Sequence, residues 1–192
     1  MIAGYATSEG TKKFAERQNE DTKKNYKTVQ DLTLSNIGVG TYLGNPDSET
    51  DYLVQDAVKK SILSGVNVID SAINYRAQKA ERSVGNAIMQ LIDNNDISRE
   101  EVFVSTKNGY VTNDGDIKED LMQYVMREYG KSGIVKEGDI SPGYHCMTLP
   151  YLNDQLERSL KNLGLSCIDL MYLHNSVEGQ THISREEFLK NL

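Results

Sequence analysis

Four ionisable side chains stand at the ends of predicted strands. Asp70 follows the apolar run 66–69, and Tyr75 lies five residues further on in a polar loop. Lys107 and His174 each follow another short apolar run. Taken singly, each of these residue types is usually explained by capping, packing or solvation. Because parallel strands end at one edge of a sheet, we expect the four side chains to converge there, where they could carry acid–base chemistry.

Four short apolar runs are predicted to form the strands that position these residues. They span residues 37–40, 66–69, 102–106 and 167–173. The segments between them repeat apolar residues at helical spacing, with Gly65 and Gly164 as helix stops and Ser48 as a predicted helix cap. Alternating strands and helices with near-continuously apolar strands predict an α/β fold with a parallel sheet covered on both faces.

Three stretches depart from this alternation. Residues 1–25 are polar and lack clear periodicity, which predicts a flexible or surface-lying lead-in. Residues 26–34 alternate loosely and could form a small hairpin. Residues 107–148 are rich in glycine and long for a connection, which indicates a functional loop inserted on the rim of the sheet.

Four β/α units can form a small doubly wound sheet or the first half of an eight-fold barrel of the TIM type. Ionisable residues after the second, third and fourth strands favour the barrel, whose active face lies at the strand ends. The capping box Ser184–Glu187 begins a helix just before residue 192. We therefore expect residues 26–192 to form a partial (β/α) barrel whose C-terminal half is absent.

Composition argues against several classes of partner. The net charge is −7, the pI is about 5.0 and the basic residues are scattered, so neither nucleic acid nor an anionic membrane is expected as a partner. No apolar run is long enough to span a bilayer, and the start lacks a signal-peptide core. Two cysteines without CxxC spacing favour a reducing cytoplasm.

Two alternative sites fit the spacing poorly. The glycines of Gly38–Gly44 imitate a Rossmann fingerprint, but they are spaced GxGxxxG, and Asn45–Asp47 separates them from the following helix. His145 and Cys146 are adjacent, yet no second ligand pair has zinc-site spacing. We predict neither a Rossmann site nor a metal site.

Several motifs, in order, resemble the aldo-keto reductase family. They are Gly38–Thr41, Asp70–Tyr75 followed by Glu81–Gly85, Arg99–Lys107 and Leu156–His174. The resemblance covers roughly residues 26–192. Two features depart from the family pattern: Arg76 follows the tyrosine where many members have glycine, and the loop after Lys107 is unusually long.

The resemblance implies an NADP(H)-dependent oxidoreductase that reduces small aldehydes or ketones. It implies that Gly40, Thr41, Tyr42 and Asp70 lie beside the cofactor, and that Asp70, Tyr75, Lys107 and His174 are catalytic. The alternative is a non-catalytic half-barrel. Its exposed sheet edges would require self-association or a complementary half.

The chemistry of the four residues suits carbonyl reduction. A free phenol ionises only well above neutral pH, and an adjacent ammonium favours its ionised form. Tyr75 is therefore the predicted proton donor, with Lys107 beside it and Asp70 pairing with Lys107. His174 is expected to hydrogen-bond, as donor or acceptor, at the carbonyl oxygen and to orient it.

Overall fold

The computed structural model describes residues 1–179 and 184–191. Its main sheet has four parallel strands, in the order β3-β4-β5-β6, and a separate antiparallel hairpin is formed by β1 and β2. The strands are β1 (Tyr26–Val29), β2 (Leu32–Ser35), β3 (Val39–Gly40), β4 (Val68–Asp70), β5 (Phe103–Asn108) and β6 (Leu170–Leu173). The predicted parallel α/β sheet is confirmed, with strands that begin one to three residues later than the apolar runs.

Three long helices make the crossovers between these strands. They are α3 (Ser48–Leu63), α4 (Lys79–Asp93) and α6 (Leu149–Leu163). Their apolar faces pack on the sheet in a core that includes Val58, Ile62, Ile69, Val84, Ile88, Val104 and Leu163. Gly65 and Gly164 end α3 and α6 at φ +98° and +67°, as predicted.

The cap of α3 was predicted one residue too late. Asp47 is the N-cap, and its carboxylate accepts the Thr50 N–H at 2.7 Å, whereas Ser48 is the first helical residue. Both residue types cap helices well, so the sequence did not distinguish the two positions.

The N-terminal segment is not a flexible or surface-lying lead-in. It forms α1 (Ser8–Glu16) and α2 (Glu20–Lys23), and Phe14 is fully buried in the main core. Gly10 packs so closely that an added Cβ would lie 2.3 Å from the Glu100 carbonyl oxygen. The Ala6 N–H also donates to the Asp169 carboxylate at 2.6 Å. The apolar face of α1 is short and lies in a polar segment, so its helical periodicity was too weak to predict the helix from the sequence.

The hairpin predicted at residues 26–34 is present. Gln30 and Asp31 form its two-residue turn at φ 48° and 66°. Positive φ at both positions is typical of the type I′ turn that suits the twist of a hairpin.

Residues 107–148 are ordered around a core of their own. The segment contains α5 (Leu121–Val125), and the π-helical turn Met126–Gly130 follows directly. Its buried hydrophobic residues are Val111, Tyr124, Val125, Tyr129, Val135 and Cys146, which pack with Tyr151 of α6. A bridge between Tyr110 and His145 joins the two ends of the segment. Residues 107–148 thus form a packed segment with its own hydrophobic cluster.

The sheet is open at both sides within the described part of the chain. Strands β3 and β6 each have one neighbour, and Leu170, Tyr172 and Leu173 of β6 are 37%, 47% and 42% exposed. The short helices α7 (Ser176–Gly179) and α8 (Arg185–Asn191) follow β6, and the Glu187 N–H donates to Ser184 Oγ at 3.1 Å. Among the described residues, no helix has the length and apolar character needed to cross a bilayer.

Candidate active site

The sheet brings the four predicted residues to one edge. Asp70 is the last residue of β4, Lys107 is the penultimate residue of β5, and His174 directly follows β6. Tyr75 lies in the turn between β4 and α4. All four therefore lie at or beyond the carboxyl ends of neighbouring parallel strands.

Asp70 and Lys107 form a closely held ion pair. Lys107 Nζ lies 2.6 Å from Asp70 Oδ2 and also donates to the Ser71 carbonyl oxygen at 2.7 Å. Ser105 Oγ donates to the other carboxylate oxygen at 2.6 Å. The Lys107 side chain is only 16% exposed. Charge-assisted hydrogen bonds of this length fix the position of the ammonium group.

The ring of Tyr75 lies against this ammonium group. Lys107 Nζ is 4.8 Å from the centroid of the Tyr75 ring, within the range of a cation–π contact. The rings of Tyr42 and His174 meet Tyr75 edge-on, with centroids at 5.0 and 5.6 Å. The phenol is thus placed between a fixed cation and two aromatic neighbours.

His174 is held in an environment that favours its neutral form. Burial, followed by the charges of Lys107 and His145, lowers the pKa of His174 below its usual 6.5, and Asp70 opposes the shift. Its Nδ1 lies 3.1 Å from the Asn74 side-chain oxygen. The imidazole is therefore mainly uncharged near neutral pH.

A cleft of about 440 Å³ opens onto these residues. It is lined by Tyr42, Asn74, Tyr75, Tyr110, His174 and Asn175, all of which carry polar atoms. A larger depression of about 700 Å³ lies elsewhere on the surface and is lined by none of the four predicted residues. Its Arg82 is already paired with Asp114 and Asp116 at 2.6 Å, so we place the chemistry in the smaller cleft.

Sequence reasoning missed three residues of this cleft. Asn74 and Asn175 each adjoin a predicted site residue in the chain, and that adjacency was an available signal. Tyr110 comes from the inserted segment, and its ring stacks on His145 at 3.8 Å and meets His174 edge-on at 4.9 Å. The sequence placed residues 107–148 on the rim of the sheet, but it did not single out Tyr110.

The residues predicted to lie beside a cofactor differ in their accessibility. Gly40 pairs in register with Asp70, and a Cβ added to it would meet nothing within 4 Å. Tyr42 is 64% exposed at the cleft. Thr41 is buried, and its hydroxyl donates to the Asp70 carbonyl oxygen at 3.2 Å. Gly40 thus leaves open space beside the strand position that pairs with Asp70, and this space is compatible with a flat cofactor ring.

Metal ligands are not clustered in the described structure. Residues 1–179 and 184–191 contain no group of three or more His, Cys, Asp or Glu side chains able to hold an ion.

Arg76 anchors the turn that carries Tyr75. Its guanidinium is fully buried and forms an ion pair with Asp51 of α3. Its Nε donates to the Asn45 carbonyl oxygen at 2.9 Å. Arg76, Ala77 and Gln78 all adopt positive φ, at 52°, 52° and 72°. The Arg76 side chain therefore ties the loop after β3 to the turn after β4.

Comparison with known proteins identifies the family of this chain. Residues 36–192 match the model of the aldo/keto reductase family, and the chain belongs to that family.

Two curated relatives match shorter stretches. The chain is 30% identical over 149 residues to the NADH-specific methylglyoxal reductase of Escherichia coli (strain K12). The matched stretch covers 75% of this chain and 39% of that protein. It is 28% identical over 97 residues to Aldose reductase C of Dictyostelium discoideum. This matched stretch covers 49% of this chain and 28% of that protein. The matches thus span well under half the length of either relative.

Proposed function

We propose that this chain carries the acid–base residues of a nicotinamide-dependent reductase acting on small aldehydes or ketones. One observation carries the proposal: the Lys107 ammonium is held by Asp70 at 2.6 Å and lies 4.8 Å from the centre of the Tyr75 ring. Membership of the aldo/keto reductase family supports it, as do the names of the two relatives.

Each of these side chains has a defined task in this reaction. Tyr75 gives its phenolic proton to the oxygen of the carbonyl group as the carbon–oxygen double bond is reduced. Lys107 stabilises the phenolate that remains, because a cation next to an anion lowers its energy. Asp70 holds Lys107 in place, and His174 contacts the substrate oxygen and orients it. The nicotinamide, when bound, supplies the hydride.

The cofactor would lie against Gly40, Tyr42 and Asp70, with Thr41 holding the Asp70 backbone in place. We propose NADP(H), as the family resemblance implies. The name of the Escherichia coli relative specifies NADH, so NADH is the competing assignment. Measuring kcat/KM with NADPH and with NADH under the same conditions distinguishes the two assignments.

We also propose that the open sheet is the first half of a TIM-type barrel. The exposed apolar residues of β6 support this proposal, because an unpaired apolar edge strand invites another strand. The missing strands would come from a longer chain, a complementary half or a second copy. The second candidate function, a non-catalytic half-barrel, rests on the same open edge.

The experiment that tests the reductase proposal replaces Tyr75 with phenylalanine. Loss of the proton donor is expected to lower kcat/KM for a reactive aromatic aldehyde by about 10²- to 10⁴-fold. Tyr52→Phe is the matched control, because Tyr52 is 66% exposed on α3 and lies outside the cleft. Equal kinetics of Tyr75→Phe and the wild-type protein would overturn the proposal.

A further inference from the structure

Three consecutive residues directly after Tyr75 adopt a backbone conformation that is unfavourable for them. Arg76, Ala77 and Gln78 lie at φ 52°, 52° and 72°, and none of them is glycine. A residue with a Cβ loses stability in the left-handed region, and such conformations persist only where surrounding contacts impose them. The contacts that hold residues 74–78, hereafter the Tyr75 turn, therefore determine where the proposed proton donor lies.

The inserted segment supplies one set of these contacts. Its residues 114–116, hereafter the 114–116 turn, lie against the Tyr75 turn, and the Gly115 N–H donates to the Ala77 carbonyl oxygen at 2.9 Å. A Cβ added to Gly115 would lie 2.6 Å from Lys79 Cδ. Glycine at this position thus lets the two turns approach closely enough for the hydrogen bond to form.

Arg82 fixes the 114–116 turn to α4. Its guanidinium donates to both carboxylate oxygens of Asp114, at 2.6 and 2.9 Å, and to Asp116 at 2.6 Å. The Arg82 and Asp114 side chains are 28% and 18% exposed, whereas Asp116 is 58% exposed, so the bidentate pair with Asp114 is the stronger restraint. Arg82 therefore sets the position of Gly115, which lies between the two acids.

Lys79 extends this chain of charges to the other side of the Tyr75 turn. Its ammonium group lies 2.6 Å from Asp116 and 2.8 Å from Asp51 of α3, and its side chain is only 10% exposed. Asp51 also pairs with the buried Arg76. Acids and bases thus alternate from α3, past the Tyr75 turn and into the inserted segment, so the turn is held from both sides.

We propose that Arg82 and the 114–116 turn position Tyr75 over Lys107. The Gly115 hydrogen bond and the Arg82 ion pairs keep the Tyr75 turn in its left-handed conformation. This conformation sets the direction in which the phenol leaves the backbone, and the ring then lies 4.8 Å from the ammonium nitrogen. The inserted segment thus serves the proton-transfer step. The catalytic meaning of this inference rests on the proposed function.

The test is proton–carbon NMR of the purified chain labelled with ¹³C in its tyrosine rings. The Tyr75 signals are those that disappear in Tyr75→Phe. We expect nuclear Overhauser contacts between the Tyr75 ring and the Lys107 side chain in the wild-type protein. Arg82→Met keeps most of the side-chain length and removes the charge. It is expected to remove these contacts and to shift the Tyr75 signals, because the ring moves relative to its aromatic neighbours.

Arg158→Met is the matched control. Arg158 is 26% exposed, nearly as Arg82 is, and it pairs with Asp154 at 2.7 Å and with Glu128 of the inserted segment at 3.3 Å. It therefore holds a different part of the inserted segment. Its replacement is expected to leave the Tyr75 signals unchanged.

Asp114→Ala keeps the proposal testable if Arg82→Met does not fold. This change removes the bidentate partner of Arg82 and leaves Asp116 as the remaining partner. The contacts between Tyr75 and Lys107 are expected to weaken in the folded variant.

Kinetics give a second readout. A displaced phenol slows proton transfer without removing a contact to the aldehyde. Arg82→Met is therefore expected to lower kcat by about 10- to 10²-fold with little change in KM. Arg158→Met is expected to retain the wild-type kcat.

Persistence of the contacts between Tyr75 and Lys107 in folded Arg82→Met or Asp114→Ala would overturn the proposal. Their absence from the wild-type protein would do the same. Equal loss in Arg158→Met would also overturn it, because the inserted segment would then stabilise the fold in general. The NMR readout does not depend on turnover, so failure here is distinguishable from failure of the Tyr75→Phe kinetic test.

Discussion

Replacement of Arg76 tests whether its buried side chain holds the site together. Arg76 combines a fully buried guanidinium with a positive φ of 52°. The buried ion pair stabilises the fold at this position, whereas the positive φ destabilises it. Arg76→Ala removes the side-chain contacts and keeps the unfavourable backbone conformation, whereas Arg76→Gly removes both.

The magnitude follows from the contacts that are lost. Arg76 forms an ion pair with Asp51 and donates to the carbonyl oxygens of Asn45 and Asp47 at 2.9 and 3.4 Å. Asp51 keeps Lys79 as a partner at 2.8 Å, so the carboxylate is not left unpaired. Breaking a buried ion pair by removing one partner costs about 3–5 kcal/mol, and because Asp51 keeps a partner we expect Arg76→Ala to lie at the lower end, about 3 kcal/mol in the free energy of unfolding.

Glycine is expected to recover part of this loss. A left-handed conformation costs a residue with a Cβ about 1–2 kcal/mol relative to glycine. We therefore expect Arg76→Gly to be more stable than Arg76→Ala by about 1 kcal/mol, although less stable than the wild-type protein.

The assay is urea unfolding followed by far-UV circular dichroism, since the chain has no tryptophan. Arg127→Ala is the control: Arg127 pairs with Glu119 and Glu128 on the surface, so its loss is expected to change stability much less. A cost below about 1 kcal/mol for Arg76→Ala would refute the reasoning. So would an Arg76→Gly variant no more stable than Arg76→Ala.

Three further predictions concern Glu81 of α4, Lys107 in the site and Tyr110 in the cleft. Burial raises the pKa of Glu81 above 4.5, so the stability contributed by its protonated form is lost as pH rises through the folded-state pKa. Glu81→Gln should therefore gain stability relative to the wild-type protein as pH rises above 4.5, and parallel urea-midpoint curves would contradict this. Lys107→Met is expected to lower kcat/KM for carbonyl reduction by about 10²-fold or more, and kinetics like those of the wild-type protein would remove Lys107 from the mechanism. Tyr110→Ala should change the ratio of kcat/KM between a bulky and a small aldehyde if the inserted segment shapes substrate access, and an unchanged ratio would exclude that role.

The sequence was sufficient to predict the parallel sheet and its crossover helices. Strand ends are marked by the change from apolar residues to polar ones, and Asp70 and His174 stand at those changes. The helix ends at Gly65 and Gly164 could also be predicted, because the positive φ at these positions favours glycine. The convergence of the four residues followed from the parallel order of the strands alone.

Long-range packing explains what the sequence did not reveal. Phe14 enters the core from a polar segment, and no local period marks it. The core of the inserted segment forms from residues scattered between Val111 and Tyr151, so it is visible only in three dimensions. The Asn74 contact depends on the distance between two strand ends, which neither flanking sequence encodes.

The most direct test of the account follows the hydride from cofactor to product. NADPH and NADH, each deuterated at the transferable positions, are supplied to the purified chain with an aromatic aldehyde, and the alcohol is analysed by mass spectrometry. The account predicts deuterium on the former carbonyl carbon with the wild-type protein, and a large loss of labelled alcohol with Tyr75→Phe. Alcohol without deuterium, or equal labelling by both proteins, would contradict it.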